Sequence, residues 1–399
     1  MDSVFSTQEL VRTLAPEEPV IVARPHRVAL AARWFARRFP GAVFYAVKAN
    51  PADWVLDALW DAGVRAFDVA SEHEVRQVRE RYPGARLAFT HPVKGRGAIR
   101  RAYAEHGVRI FALDTAVELD KILDETGGAA DLELLVRIAV PGESAHHRLD
   151  RKFGVQGAEA AALLRSARAS ANTLGVAFHV GSQCLRPDAF GVAMDAVAGI
   201  IRQAAVTIDI VDVGGGFPSP YAAPQPPAMQ LYVDAITDAF ADMPVLKDAD
   251  LWCEPGRALV AEASSHLVKV ELRKGDRLYI NEGSYGALFD AAHCGIRYPV
   301  RLVRNPGAAP DELRPYEFYG PTCDSIDHMR GPFFLPADVR EGDYVEIGMT
   351  GAYCAALASR FNGFGAAMTV FADDAPMRTM YPDADAPQRI EALEAASPL

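Results

Sequence analysis

A (β/α)8 barrel of the TIM type, joined to a second, mainly antiparallel β domain of sandwich or barrel form, is the fold class this sequence predicts. Three features point to it: eight short apolar runs recur between residues 42 and 256, amphipathic stretches of helical length separate them, and after residue 265 strand-like pieces continue without helical partners. At 399 residues, 50 % of them apolar, the chain can bury a large core and fill one big and one smaller domain. The expected boundaries are 26–264 for the barrel and 1–25 with 265–399 for the β domain.

The run EPVIVAR comes first, followed by an arginine-studded helix, PHRVALAARWFARRFPG, whose basic residues read as a solvated face. The barrel runs then follow in order: FYAVK, FDVA, LAFT, FALD, LLVRI, VAFHVG, IVDVGGG and LWCEPG. Each is apolar enough to be buried on both faces, as parallel strands are. Among the connections, VLDALWDAG ends in glycine, and SEHEVRQVRERYPG opens on serine and closes on proline-glycine, the punctuation of helices. HLVKVELRKGDRLYINEG, YPVRLVRNPG, YEFYGPTC and GDYVEIG are the strands expected of the β domain. PSPYAAPQPPAMQ and NPGAAPDELRP hold too much proline for regular elements and read as loops, the first as a cover over the site. The tail PDADAPQRIEALEAASPL is expected to fray into solvent.

Composition narrows the function. With 41 basic against 52 acidic residues the net charge is -11, which argues against nucleic acid and favours cationic small molecules. The cysteines Cys184, Cys253, Cys294, Cys323 and Cys354 are widely spaced with no CxxC pair, so reduced thiols are expected, with neither a disulfide framework nor a metal site. No charged start leads into an apolar signal segment and no apolar stretch is long enough to span a bilayer, so a soluble cytoplasmic protein is expected.

In such a barrel the reactive groups gather at the carboxyl ends of the strands. Here those ends are Lys48, Asp68, Thr90, Asp114, Arg137, His179, the triplet Gly214, Gly215 and Gly216, and Glu254. A lysine closing a strand can simply reach solvent, but a desolvated lysine is also the nucleophile that joins an aldehyde cofactor. Three glycines after a strand let backbone N–H groups wrap a phosphate, where a plain tight turn needs only one. CEPGR then supplies a carboxylate and a guanidinium; Glu254 and Arg257 either pair with each other or serve a pyridine nitrogen and a phosphate. His179 is either a satisfied core histidine or a ring that stacks on a flat cofactor, with the Ser182 hydroxyl beside it for the phosphate.

Taken in order, YAVKAN, HVGSQ, GGGF, EPGR, GPTCD and GAY resemble the barrel-type pyridoxal-phosphate (PLP) decarboxylases, whose fold is similar to that of alanine racemase and whose members include ornithine, lysine and diaminopimelate decarboxylases. The resemblance implies PLP in Schiff-base linkage with Lys48, His179 on its ring and Glu254 at its pyridine nitrogen. It also implies Ser182, Gly215, Gly216, Gly256, Arg257 and Tyr353 around the phosphate, and Asp68 and Arg137 in supporting roles near the cofactor and Lys48. Cys323 and Asp324 of GPTCD would come from the second subunit of a head-to-tail homodimer, Cys323 delivering a proton to the α carbon. Asp290 and Asp324 would flank the distal ammonium of ornithine or lysine, giving putrescine or cadaverine and carbon dioxide.

Diaminopimelate decarboxylases share HVGSQ but usually carry glutamate after the motif cysteine, where this chain has Asp324, and ASRFNGF looks like the ornithine branch. Phe289 and Gln183 depart from that branch, which usually has tyrosine and often glycine there. A larger carboxylated polyamine remains an alternative substrate. A racemase on this scaffold would typically set arginine where Glu254 stands, and a non-catalytic regulator of polyamine synthesis can lose the lysine or cysteine, both present here.

Overall fold

The computed structural model describes residues 6–140, 145–147, 152–304 and 312–381. Most of the loop expected from Asn305 onward, and the tail after Tyr381, lie outside the described residues. The strands are β1 (Val20–Ala23), β2 (Ala42–Ala46), β3 (Ala66–Val69), β4 (Arg86–Phe89), β5 (Ile110–Leu113), β6 (Glu133–Arg137), β7 (Ala145–His147), β8 (Thr173–Ala177), β9 (Ser182–Cys184), β10 (Ile210–Asp212) and β11 (Asp250–Cys253). They continue with β12 (Ser264–Lys274), β13 (Arg277–Ile280), β14 (Val300–Val303), β15 (Leu313–Tyr319), β16 (His328–Pro336), β17 (Tyr344–Ile347) and β18 (Met368–Phe371).

Strands β2, β3, β4, β5, β6, β8, β10 and β11 close into a parallel barrel in that order. Its interior is filled by inward side chains including Phe44, Ile110, Leu135, Ile210 and Trp252, with the Phe44 and Trp252 rings 4.6 Å apart. The outward side chains pack beneath the helices in a second, larger apolar layer. The expected helices form where the punctuation placed them: Ser71 caps Glu72–Arg81 by accepting from the Glu74 N–H, and Asp53–Asp61 follows β2.

The strands stop earlier than their apolar runs. β2 ends at Ala46, and Lys48 sits on a single 3₁₀ turn, Val47–Ala49; His179 lies two residues past β8 and Glu254 one past β11. The cause is local: at the rim the backbone must turn away from the ladder before its side chains can converge over the barrel mouth. The proline-rich segment departs from expectation at its end, where Met229 and Gln230 open the helix Met229–Ala241.

The second sheet runs β14-β17-β12-β13-β15-β16, with β1 pairing to β12 and β18. It is mainly antiparallel; β1/β18 and β13/β15 are its parallel pairs. The long β12 holds it together, pairing with β1 and β17 through its first half and, after an irregularity between Val270 and Leu272, with β13. β16 and β18 were not anticipated, because HMRGPFFLP and MTVF lack a clear alternation of apolar and polar residues.

The arginine helix, Pro25–Arg38, corrects a second expectation. Arg33, Arg37 and Arg38 are exposed, but Arg27 is buried and pairs with Glu262 at 2.8 Å, and the neighbouring Arg24 is buried between Glu346 at 3.0 Å and Asp374 at 2.7 Å. Periodicity marks a polar stripe but not whether a carboxylate from distant sequence waits beneath it. Glu346 also accepts from Ser265 Oγ at 2.6 Å and from Arg301 Nε at 2.6 Å, so its two oxygens join β1, β12, β14 and β17. Among the described residues no helix is long and apolar enough to cross a membrane. Glu346→Ala takes one of two carboxylates from the buried Arg24 guanidinium and the acceptor from the buried Ser265 hydroxyl, and is expected to lower unfolding free energy by about 3 kcal/mol in urea titration.

Candidate active site

At the carboxyl rim of the barrel a cavity of about 290 Å³ opens, and the strand-end residues meet around it. Lys48, Arg137, His179, Ser182, Gly215, Gly216, Glu254, Gly256, Arg257 and Tyr353 all line it. Asp68 does not line it but stands directly behind: its Oδ2 lies 2.5 Å from Lys48 Nζ, and its Oδ1 accepts from Thr90 Oγ1. Asp114, another strand end, faces elsewhere and accepts from the Gly154 N–H at 2.8 Å.

Electrostatics in the cavity follow from enclosing several charges together. Burial works against the Lys48 ammonium, but Asp68, Glu254 and Tyr353 outweigh it and hold the Lys48 pKa above its ordinary value. Glu254 shows the opposite balance: burial, then Asp212 and Asp68, hold its carboxyl well above the usual range against the pull of Lys48 and Arg137. Asp212, fully enclosed in β10, is pushed up to about 6, chiefly by burial and against the hydrogen bond from the Gly214 N–H at 2.9 Å. Burial, with Arg137 and Lys48 nearby, pushes His179 down to about 3, so its ring is neutral. Its Nδ1 accepts from the Gly181 N–H at 2.9 Å, which leaves the ring proton on Nε2.

The glycine loop is packed too closely for side chains. A Cβ on Gly214 would lie 2.2 Å from the Phe178 carbonyl oxygen, and one on Gly216, where φ is +100°, would lie 2.5 Å from the Gly181 carbonyl oxygen. Opposite, the Arg257 guanidinium lies 4.8 Å from the Tyr353 ring centre, and donates to Tyr221 OH at 2.5 Å and to Asp290 Oδ2 at 3.1 Å. Its Nε is buried with no hydrogen-bond partner among the described residues. A side-chain-free loop facing a guanidinium with an unused donor fits a phosphate monoester, and Lys48 and Glu254, both lining the cavity, fit the aldehyde and ring nitrogen of PLP.

Comparison with known proteins agrees with that fit. Residues 26–261 match the family model described as pyridoxal-dependent decarboxylase, pyridoxal binding domain. The chain belongs to the pyridoxal-dependent decarboxylases. A lysine/ornithine decarboxylase of Selenomonas ruminantium is 32 % identical over 93 % of this chain and 94 % of its own length. Among solved structures, the lysine/ornithine decarboxylase of Vibrio vulnificus complexed with cadaverine has a TM-score of 0.78 at 28 % identity, covering 93 % of this chain and 100 % of that one. The Paramecium bursaria Chlorella virus arginine decarboxylase bound to agmatine has a TM-score of 0.80 at 28 % identity, covering 91 % and 98 %. The protein is therefore a PLP-dependent decarboxylase of the ornithine, lysine and arginine group, and PLP is its cofactor.

Three residues named from the sequence stand apart from this decarboxylase cavity. Cys323, exposed, and Asp324, half-buried, line a separate surface hollow, where Asp324 accepts from Tyr285 OH at 2.6 Å and Cys323 Sγ lies 3.3 Å from Asn362 Oδ1. Asp290, expected beside a substrate ammonium, is buried against Arg257 instead, since an enclosed guanidinium needs a counter-charge.

The structure also adds residues that the sequence reading passed over. His91 follows directly on Thr90, Lys152 and Phe153 line the opposite wall, and Asp212 supports Glu254 from below. Asp212 had a signal: a carboxylate inside the apolar run IVDV is too costly to bury without a task. Tyr221 had none, because proline-rich sequence does not reveal which of its side chains turns inward. Gly216→Ala is expected to weaken cofactor retention by about 2–3 kcal/mol. Visible absorbance remaining after gel filtration, against an unchanged far-UV spectrum, checks it.

Proposed function

We propose that this enzyme decarboxylates a basic L-amino acid, ornithine and/or lysine, releasing carbon dioxide and the diamine putrescine or cadaverine. The observation carrying this reading is the convergence of Lys48, His179, Glu254 and the glycine loop on one cavity, in a chain that offers the Cys323–Asp324 pair at a separate surface hollow. Bound PLP supplies an electron sink for the pair of electrons left at the α carbon when carbon dioxide departs.

The chain's own residues have these roles in the proposal. Lys48 holds the cofactor aldehyde, and its Nζ must lose a proton to do so; Asp68, fixed by Thr90, is in contact to take that proton and return it. Glu254 is kept protonated until a basic ring nitrogen arrives, and then passes the proton on and stays as its counter-charge. A neutral His179 presses on the ring face without adding a positive charge. Ser182, the N–H groups of Gly215, Gly216 and Gly256, Arg257 and Tyr353 hold the phosphate, and Arg137 adds positive potential nearby.

Substrate choice and subunit arrangement belong to the same proposal. Asp324 is the carboxylate we assign to the distal ammonium: it lines a surface hollow, and its hydrogen bond from Tyr285 and another from the Ile326 N–H hold it ionised, with its pKa below the ordinary value. Asp290 is already committed to Arg257, so it plays the smaller part. The pair Cys323–Asp324 reaches the cavity from the second subunit of a homodimer, with Cys323 returning a proton to the α carbon.

Two experiments test this. In an amine-product assay over ornithine, lysine, arginine, diaminopimelate and carboxylated polyamines, ornithine or lysine should exceed the others in kcat/KM by about tenfold or more; agmatine as the main product would replace this reading with arginine decarboxylation. Mixing inactive Lys48→Ala with inactive Cys323→Ala protein should restore about one quarter of wild-type activity through hybrid dimers. No recovery after subunit exchange would mean that each subunit is self-contained.

A further inference from the structure

Gln183 adopts a backbone conformation that only glycine takes without cost. Its φ is 54°, and its side chain is buried. The strain is offset by a two-point clamp: Gln183 Nε2 donates to the Ser219 carbonyl at 2.7 Å, and the Ser219 N–H donates to Gln183 Oε1 at 3.0 Å.

Ser219 carries the connection further. Its Oγ donates to the Arg257 carbonyl at 3.2 Å, and two residues on, Tyr221 OH accepts from the Arg257 guanidinium at 2.5 Å. On the other side of Gln183, the Cys184 N–H donates to the Gly216 carbonyl at 2.9 Å. Ser182, the glycine loop and Arg257 come from three separate places in the chain, and all three are tied through Gln183 and its immediate neighbours.

We propose that Gln183 is a positioning residue for the phosphate cradle, its amide locking Ser182, Gly216 and Arg257 in register before the cofactor enters. This rests on the assignment of those residues to the phosphate made above. A neutral amide suits the task, because it supplies a donor and an acceptor without placing a charge that would repel the phosphate or compete for Arg257. The same clamp orders the proline-rich segment through Tyr221, so the stiffness of that segment and the grip on the phosphate are one property.

The test compares PLP with pyridoxal, which lacks the phosphate, on full-length wild-type and Q183G protein stripped of cofactor and reloaded with either, bound cofactor being read by visible absorbance. Glycine accepts φ 54° without strain, so Q183G removes the clamp and adds no backbone cost. Loss of the two hydrogen bonds is expected to raise the Kd for PLP about tenfold while changing that for pyridoxal by no more than about twofold. Q183E, which keeps the acceptor but sets a carboxylate against the Ser219 carbonyl, should resemble Q183G. A Q183G protein that binds PLP as tightly as wild type, or loses PLP and pyridoxal affinity equally, overturns the proposal. Wild-type protein with no preference for PLP over pyridoxal would instead remove the phosphate assignment beneath it.

Discussion

The contact between Lys48 and Asp68 is the constraint around which the site is arranged. A carboxylate buried beneath the mouth of an apolar barrel needs a cation in contact, and the Lys48 ammonium, which lines the open cavity, provides it 2.5 Å from Asp68 while Thr90 holds the carboxylate in place. That carboxylate in turn raises the proton affinity of Glu254, which Asp212 raises further from below. Burial therefore pushes Glu254 and Asp212 toward their protonated forms, while Lys48 is held above its ordinary value.

The glycine loop and Arg257, proposed above as the phosphate cradle, are shaped by geometry more than by charge. Arg257 is the buried cation there, and Asp290 and Tyr221 already occupy two of its donors. What distinguishes the cradle is backbone approach: the triplet Gly214 to Gly216 runs against the carbonyls of residues 178, 181 and 254 at distances that admit no Cβ.

The β domain is more than an appendage to this barrel. β1, the first strand of the chain, pairs with β12, which leaves the barrel directly after Ala263, and with β18 from near the end of the described chain. Arg24 on the segment after β1 is locked by Glu346 and Asp374. Tyr353, in a left-handed conformation with its N–H donating to the Ala49 carbonyl, reaches back from this domain to the turn that carries Lys48. The same sheet carries the GPTCD segment, so the piece of the molecule that completes one cavity in the barrel also presents Cys323 and Asp324 outward.

Much of this was legible in the linear sequence. Strand and helix order, the barrel, and the cavity-lining roles of Lys48, His179, Glu254 and the glycine triplet follow from apolar period and from polar residues at strand ends, because a barrel turns one-dimensional spacing into a ring of neighbours. Features that depend on who meets whom across distant sequence were not legible. Arg27 looked solvated until Glu262 was found beneath it, the pairing of Asp290 with Arg257 left no trace in the sequence, and Gln183 looked like an anomaly until Ser219 closed its clamp. The sequence alone determined the fold class, through apolar runs at periodic positions, while the cofactor and the class of chemistry were carried by ordered motifs that resemble those of a known family. Tertiary structure alone decided which charges are paired and which donors are free, because the energy of a buried charge depends on its contacts in space and leaves no periodic trace in the chain.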